Sequence, residues 1–172
     1  IDLEVELDNA SAQNADVSVW TEIFELDAHG SVRGDVVAKI VAGRTRISAE
    51  ASATVRGSVV LSQPKLWGPP PTQQPHRYVA VTTVSREGKT VDAYETRFGI
   101  RALRFDPNSG IYVNGERIQI KGVNQHHDLG ALGAAFNVRA AERQLEILRE
   151  MGCNAIRMAH NPPAPELLVI AV

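Results

Sequence analysis

The chain has 172 residues, of which 44% are hydrophobic and 22% charged, a balance typical of one or two folded globular domains. Its formal net charge is -2, and it has no basic stripe that would indicate binding to nucleic acid or to an anionic membrane. No apolar run is long enough to span a bilayer, and the single cysteine, Cys153, excludes an internal disulfide framework and a cysteine-rich zinc site.

The two ends of the sequence predict that the chain is a piece of a longer protein. Residue 1 is Ile, and no signal-peptide pattern of charge, apolar stretch and cleavage site follows it. At the other end, residues 166–172 stop inside an apolar run of the kind found in a buried element. We therefore expect further sequence to belong to the same protein.

Residues 1–105 are typical of an antiparallel β-sandwich of immunoglobulin type, although the cysteine pair of antibody domains is absent. Short segments rich in β-branched residues alternate apolar with polar positions, at a spacing of roughly 8–12 residues. Turn residues, among them Gly34, Gly43, Gly57 and Gly88, are expected to separate them. The predicted strands are 3–7, 17–25, 36–41, 52–55, 58–61, 78–84 and 90–96.

Residues 106–172 begin with a junction that predicts a hairpin. Asn114 and Gly115 lie between two apolar segments, and both residue types tolerate a positive φ angle. This favours a type I′ hairpin turn, with a surface loop as the alternative.

The pattern after the junction predicts one incomplete βαβ unit of a barrel. Apolar residues recur at helical spacing between Val138 and Met151, with Asn137 as a candidate N-cap and Gly152 as a stop signal. A strand over 118–124 precedes this helix, and a strand over 154–159 follows it. The crossover between them should be right-handed and the strands parallel.

Polar side chains collect where these two predicted strands end. They are Asn124, His126, His127 and Asp128 after the first strand, and His160 and Asn161 after the second. Ligands of α/β barrels bind at the carboxyl ends of the strands, so this edge is a candidate site. The histidine spacing contains no zinc motif, and solvated loop residues are the alternative interpretation.

Arg157 is a second signal on the same edge. Strand alternation places it on one face with Ala155 and Ala159, and that face would point into a crowded interior. A buried guanidinium is costly unless it meets a carboxylate. Arg157 therefore predicts an acidic partner from outside this short unit, unless the side chain simply lies exposed.

A series of motifs follows one another along the chain. They are PKLWGP (64–69), PHRY (75–78), FGIR (98–101), YVNGERIQIKGVN (112–124), HHDLGALG (126–133) and MGCNAIRMAHNPP (151–163). In this order they resemble glycoside hydrolase family 2, and most closely its bacterial β-galactosidases. After 163–168 the family continues through a helix with a Cys-Asp pair, which this sequence lacks.

The resemblance implies a fold and a reaction. Residues 1–105 would be the central immunoglobulin-like sandwich, and 106–172 the junction hairpin and the first part of a (β/α)₈ TIM barrel. Enzymes of the family cleave terminal β-linked sugars, here β-D-galactosides, with retention of configuration and with two glutamates. One glutamate follows an asparagine, and the chain contains no Asn-Glu pair. Both are expected downstream, so the chain alone should be inactive.

The resemblance also implies roles for single residues. His160 matches a histidine that contacts the sugar, with Asn161 beside it, and Arg157 matches the arginine that supports the nucleophile. His126 and Asp128 match the first barrel loop near the substrate.

The implied partner is a β-linked oligosaccharide or galactoside, with no nucleic acid and no membrane, and a homo-oligomer stays open. No cofactor is expected in this chain, and any Mg²⁺ or Na⁺ of the parent enzyme would bind elsewhere. The compartment stays open between the bacterial cytoplasm and the periplasm. The alternatives are β-glucuronidase, β-mannosidase, or a non-catalytic carbohydrate-binding sandwich, which an exposed aromatic platform would favour.

Overall fold

A computed structural model describes residues 1–171 of the chain. These residues form two compact units. The first unit contains Ile1–Trp67 and His76–Arg101, and the second contains Gly68–Pro75 and the chain from Ala102 onwards. The domain boundary predicted after residue 105 stays a prediction. Within the described part of the chain, no helix is long and apolar enough to cross a membrane.

The first unit consists of antiparallel strands in two sheets, as predicted. Its strands are β1 (Asp2–Asn9), β2 (Ala15–Leu26), β3 (Val32–Ile47), β4 (Ala51–Ser58), β5 (Arg77–Arg86) and β6 (Lys89–Phe98). One sheet has the order β3-β2-β5-β6, and the other pairs β1 with β4. All of these neighbours are antiparallel.

Side chains from both sheets meet in the core of the first unit. One cluster brings Leu7 of β1 and Val55 of β4 against Val17 and Val19 of β2. A second cluster joins Ile23, Ile40, Tyr78 and Ala80. Buried positions alternate along β2. Because successive side chains of a strand point to opposite faces, one face of β2 is directed towards the core. The burial of these side chains holds the two sheets together.

Gly88 lies in the predicted turn between β5 and β6, but Gly43 and Gly57 lie inside strands and are not turn residues. Gly43 lies inside β3 with φ of 99°, at a bulge where the register with β2 shifts. Only glycine adopts this backbone conformation readily, so it lets the strand continue through the bulge. Gly57 lies inside β4, where a Cβ would collide with Ile40. The separate strand predicted over 58–61 is therefore wrong, since β4 runs through Gly57 and ends at Ser58.

The second unit contains an antiparallel meander followed by a βαβ unit. Its elements are β7 (Leu103–Asp106), β8 (Gly110–Val113), β9 (Glu116–Ile118), β10 (Gly122–Gln125), α1 (Val138–Glu150), β11 (Ala155–Met158) and α2 (Pro165–Ile170). Strands β7, β8 and β9 form one sheet, and β10 and β11 pair in parallel. Asn114 and Gly115 between β8 and β9 both have positive φ, as the predicted turn requires.

The helix of the βαβ unit begins and ends where the sequence predicts. The Asn137 side chain accepts a hydrogen bond from the Ala140 amide at 3.0 Å, which caps the first turn. Gly152 follows the helix with φ of 86°. The strand predicted over 118–124 is instead two elements, because β9 ends at Ile118 and β10 begins at Gly122. A side chain at 122 would collide with the carbonyl of Ala155 on the parallel neighbour.

The register of β10 on β11 depends on Asn154. Its Oδ1 accepts from the Lys121 amide at 2.8 Å, and its Nδ2 donates to the Gln119 carbonyl at 2.9 Å. Its backbone amide also donates to the Lys121 carbonyl at 2.8 Å. These bonds tie the residues before β10 to the residue that precedes β11, so both strands start at a defined position.

We expect the Thr21 and Thr82 hydroxyls to be coupled in the core. Their Oγ1 atoms lie 2.8 Å apart, directly opposite on β2 and β5, with exposures of 0% and 7%. Replacing either residue by Val leaves one hydroxyl buried without its partner and should lower the free energy of unfolding by about 1–3 kcal/mol. The double variant should lose clearly less than the sum. Urea unfolding of the cycle measures this, with Thr83→Val on the opposite face as the control.

The Asn154 bonds give a second prediction. Asn154→Ala removes both side-chain bonds and should lower the local stability of β10 and β11 by about 1–2 kcal/mol. Hydrogen exchange at the amides of Val123 and Ile156 reports the change. Asn161→Ala is the matched control, since none of the residues 1–171 hydrogen-bonds its side chain. Equal exchange rates in the two variants would contradict the role of Asn154.

Candidate functional site

The parallel pair β10–β11 brings the predicted site residues to one edge. In its register Asn124 lies opposite Arg157, so both side chains leave the same face of the sheet. The Arg157 guanidinium donates through Nη1 to Oδ1 of Asn124 at 3.4 Å. This cross-strand contact joins the carboxyl-terminal part of β10 to that of β11, just before the two loops that carry the histidines.

The structure brings together two of the predicted histidines. The rings of His126, after β10, and His160, after β11, have centroids 5.9 Å apart and meet edge to face at 80°. Nη2 of Arg157 lies 3.5 Å from Nδ1 of His160. The peptide bond between Ala159 and His160 is cis. Arg157 thus lies at the base of a small group formed with the two imidazoles.

The contact with Arg157 favours one tautomer of His160. A guanidinium has only N–H donors, so the Nδ1 atom that faces it must present a lone pair. A neutral His160 then carries its proton on Nε2. In this tautomer the outer nitrogen is a hydrogen-bond donor, suited to a hydroxyl or another neutral acceptor oxygen.

Arg157 is exposed in this structure, and no carboxylate among residues 1–171 forms an ion pair with it. Ala159, on the same face of the strand, is buried. The acidic partner that the sequence predicts for Arg157 therefore stays a prediction. The N–H groups that do not face Asn124 or His160 form no hydrogen bond within residues 1–171.

Asp128 is used within its own loop. Its carboxylate accepts from the Gly130 amide at 2.9 Å, and its amide donates to the His126 carbonyl at 2.8 Å. The first bond is an Asx turn, a common local use of aspartate. Asp128 therefore shapes the turn that carries His126. Asn161 follows His160 as an exposed residue, and the structure brings no other site side chain into hydrogen-bond contact with it.

A cleft of about 120 Å³ lies beside the turn that carries His126. Its lining includes Gln125, His127, Phe136, Gln144 and Leu167. Sequence reasoning missed Gln125 and Gln144, because a glutamine in a strand or a helix carries no motif that separates it from an ordinary surface residue. Their contact across the fold could not be read from local spacing.

Charged side chains also pair with one another along the exposed face of α1. Hydrogen bonds from Arg139 and Arg143 lower the pKa of Glu146 below its ordinary value. These three side chains pair with one another along the helix. Within residues 1–171, no group of three or more His, Cys, Asp and Glu side chains is arranged to hold a metal ion.

Two family models match the chain, one for each half. The model described as "Glycosyl hydrolases family 2" matches residues 1–101. The model described as "Glycosyl hydrolases family 2, TIM barrel domain" matches residues 107–171. The second match confirms the prediction that the βαβ unit is the beginning of a TIM barrel, and the first covers the sandwich.

Relatives and solved structures of the same family resemble most or nearly all of the chain. Over 172 residues it is 42% identical to "Beta-galactosidase BoGH2A" of Bacteroides ovatus, an alignment that covers 98% of this chain and 19% of that protein. It is 32% identical over 106 residues to a "Beta-glucuronidase" of Bacteroides fragilis, covering 62% of this chain and 15% of that protein. A crystal structure of a glycosyl hydrolase family 2 member from Bacteroides cellulosilyticus superposes with a TM-score of 0.75 at 28% identity, covering 98% of this chain and 22% of that one.

The chain therefore spans only 19% of the length of the first of these relatives and 15% of the second. The two matched regions nevertheless contain all six motifs identified in the sequence. On the match of residues 1–101 to the family model, the chain belongs to glycosyl hydrolase family 2.

Proposed function

We propose that the chain is the central sandwich and the start of the catalytic barrel of a retaining exo-β-glycosidase that hydrolyses terminal β-D-galactosides. The observation that carries the proposal is the convergence of Arg157, His160 and His126 at the carboxyl ends of β10 and β11. Barrel enzymes bind their substrates at this end of the strands. The 42% identity to a protein named a β-galactosidase supports the choice of galactoside.

His160 is proposed to bind a hydroxyl group of the terminal sugar. The contact with Arg157 orients the ring and leaves its Nε2–H as an outward donor. During retaining hydrolysis the sugar distorts towards an oxocarbenium-like transition state, and hydrogen bonds to its hydroxyls strengthen. A donor held in place before the reaction therefore favours the transition state over the bound substrate.

Arg157 is proposed to hold the nucleophilic carboxylate, the role that the family resemblance implies. Its planar guanidinium presents N–H groups in a geometry that matches a carboxylate. In this chain the guanidinium contacts Asn124 and His160. An ion pair would keep the nucleophile ionised and aligned with the anomeric carbon. The two catalytic glutamates are proposed to come from later strands of the full-length enzyme.

β-Glucuronidase is the second candidate, and the 32% identical relative of that name favours it. The two activities differ in the group at C6 of the sugar, a hydroxymethyl or a carboxylate. The Asn161-Pro162-Pro163 stretch, where the glucuronidases tend to have a tyrosine-proline pair, favours the galactosidase.

The full-length enzyme tests the glycone and the stereochemistry together. Initial rates on nitrophenyl β-galactoside, β-glucuronide and β-mannoside should give the highest kcat/KM for the galactoside. Proton NMR of the first product should show the β-anomer, as retention requires. A glucuronide preference would overturn the galactoside assignment, and an α-anomeric first product would overturn the mechanism.

His160→Ala in the full-length enzyme should mainly lower kcat. The loss of a donor that acts in the transition state is expected to cost about 2–4 kcal/mol of transition-state stabilisation. His76→Ala is the control, because this exposed imidazole lies outside the two loops that follow β10 and β11. Its kinetics should stay close to the parent. A kcat for His160→Ala within threefold of the parent would contradict the assignment.

The isolated chain of residues 1–172 should be inactive. Retaining hydrolysis requires two carboxyl groups roughly 5–5.5 Å apart around the scissile bond. Nitrophenyl β-galactoside should show no saturable turnover with the purified chain, while the full-length enzyme at the same concentration turns over. Saturable turnover by the isolated chain would contradict the proposal that both catalytic glutamates lie outside residues 1–172.

A further inference from the structure

Gln144 on α1 reaches across to the strand and the loop that carry His126. Its Oε1 accepts a hydrogen bond from Nε2 of Gln125 at 2.6 Å. Its Nε2 donates to the backbone carbonyl of Asp128 at 3.3 Å. One amide group therefore holds two separate parts of the chain.

These two anchors lie on either side of His126. Gln125 is the residue immediately before it and pairs with Met158 in the β10–β11 register. Asp128 lies two residues after it and closes the turn by donating its amide to the His126 carbonyl at 2.8 Å. With both neighbours held, the backbone of His126 has little freedom to move away from the sheet edge. The imidazole is thereby kept against the ring of His160.

The helix that carries Gln144 is itself held against the rest of the unit. Ala141, one turn earlier on the same face of α1, is only 2% exposed, and Gln144 is half-buried. The amide of glutamine donates and accepts at once, which a carboxylate or an apolar side chain of the same length cannot do. The contact thus depends on the chemistry of this residue as well as on its size.

We infer that Gln144 is a positioning residue for the sugar site, acting through the turn His126–Asp128. This inference rests on the proposed function, since it assigns to His126 a place beside the bound sugar. Gln144 itself touches neither the sugar nor the reacting atoms. It keeps His126 at the distance from His160 that the two imidazoles need to share one ligand.

Gln144→Met in the full-length enzyme tests the inference, because methionine keeps the length and the helix propensity and removes both hydrogen bonds. We expect kcat to fall about tenfold while KM stays within about twofold, as displacement of a pre-placed group predicts. Gln144→Glu keeps the acceptor for Gln125 but cannot donate to the Asp128 carbonyl, so kcat of this variant should also lie below the parental value. A parental kcat in either variant overturns the inference.

Arg143→Leu is the matched control on the same helix. Arg143 pairs only within α1, with Glu146 at 3.3 Å and Glu150 at 3.7 Å. Its loss should lower helix stability slightly and leave kcat at the parental value. If this control loses as much activity as Gln144→Met, the effect is one of general helix stability and the inference is wrong.

A measurement on the chain of residues 1–172 separates this inference from the proposed function. The nuclear Overhauser effect between the His126 and His160 rings should be present in the parent and in Arg143→Leu, and lost in Gln144→Met. An unchanged ring–ring effect in Gln144→Met overturns the positioning role. If the full-length enzyme cleaves none of the three glycosides, the proposed function fails, and this spectrum still decides the role of Gln144.

Discussion

The parallel pairing of β10 with β11 is the constraint on which the candidate site depends. It places Asn124 opposite Arg157, and a shift by one residue would turn Arg157 and its neighbours to the other face of the sheet. Asn154 prevents such a shift by bonding to the chain on both sides of Ile120. Breaking these hydrogen bonds would cost free energy, so they hold the two loops, which are distant in sequence, at one edge of the sheet.

The site combines groups that differ in how firmly they are held. Asp128 and Gln144 stabilise the turn after β10 through backbone contacts. Arg157 and His160 meet at a longer distance of 3.5 Å, which makes this a weaker interaction than the contacts of the turn. A rigid turn beside an adaptable arginine suits a site that the remaining barrel strands complete.

The sandwich is stabilised by a different balance of forces. Apolar side chains of both sheets are buried in two clusters, and the buried Thr21–Thr82 pair adds a polar contact between β2 and β5. Glycine has two opposite uses there. Gly43 permits a bulge with positive φ, whereas Gly57 provides space for Ile40. Neither use is a turn, although glycine between β-branched segments is usually a sign of one.

Local patterns in the sequence determined the element types, the N-cap of α1, the hairpin at Asn114-Gly115 and the edge where the site residues collect. These depend on interactions between residues close in the chain, which periodicity and cap chemistry report. The motifs likewise identified the family. Only the tertiary structure decided the bulge at Gly43, the contact of Arg157 with Asn124, and the anchoring of His126 by Gln144. Each of these joins residues far apart in sequence, and their distance follows from sheet register and helix packing, which local composition does not encode.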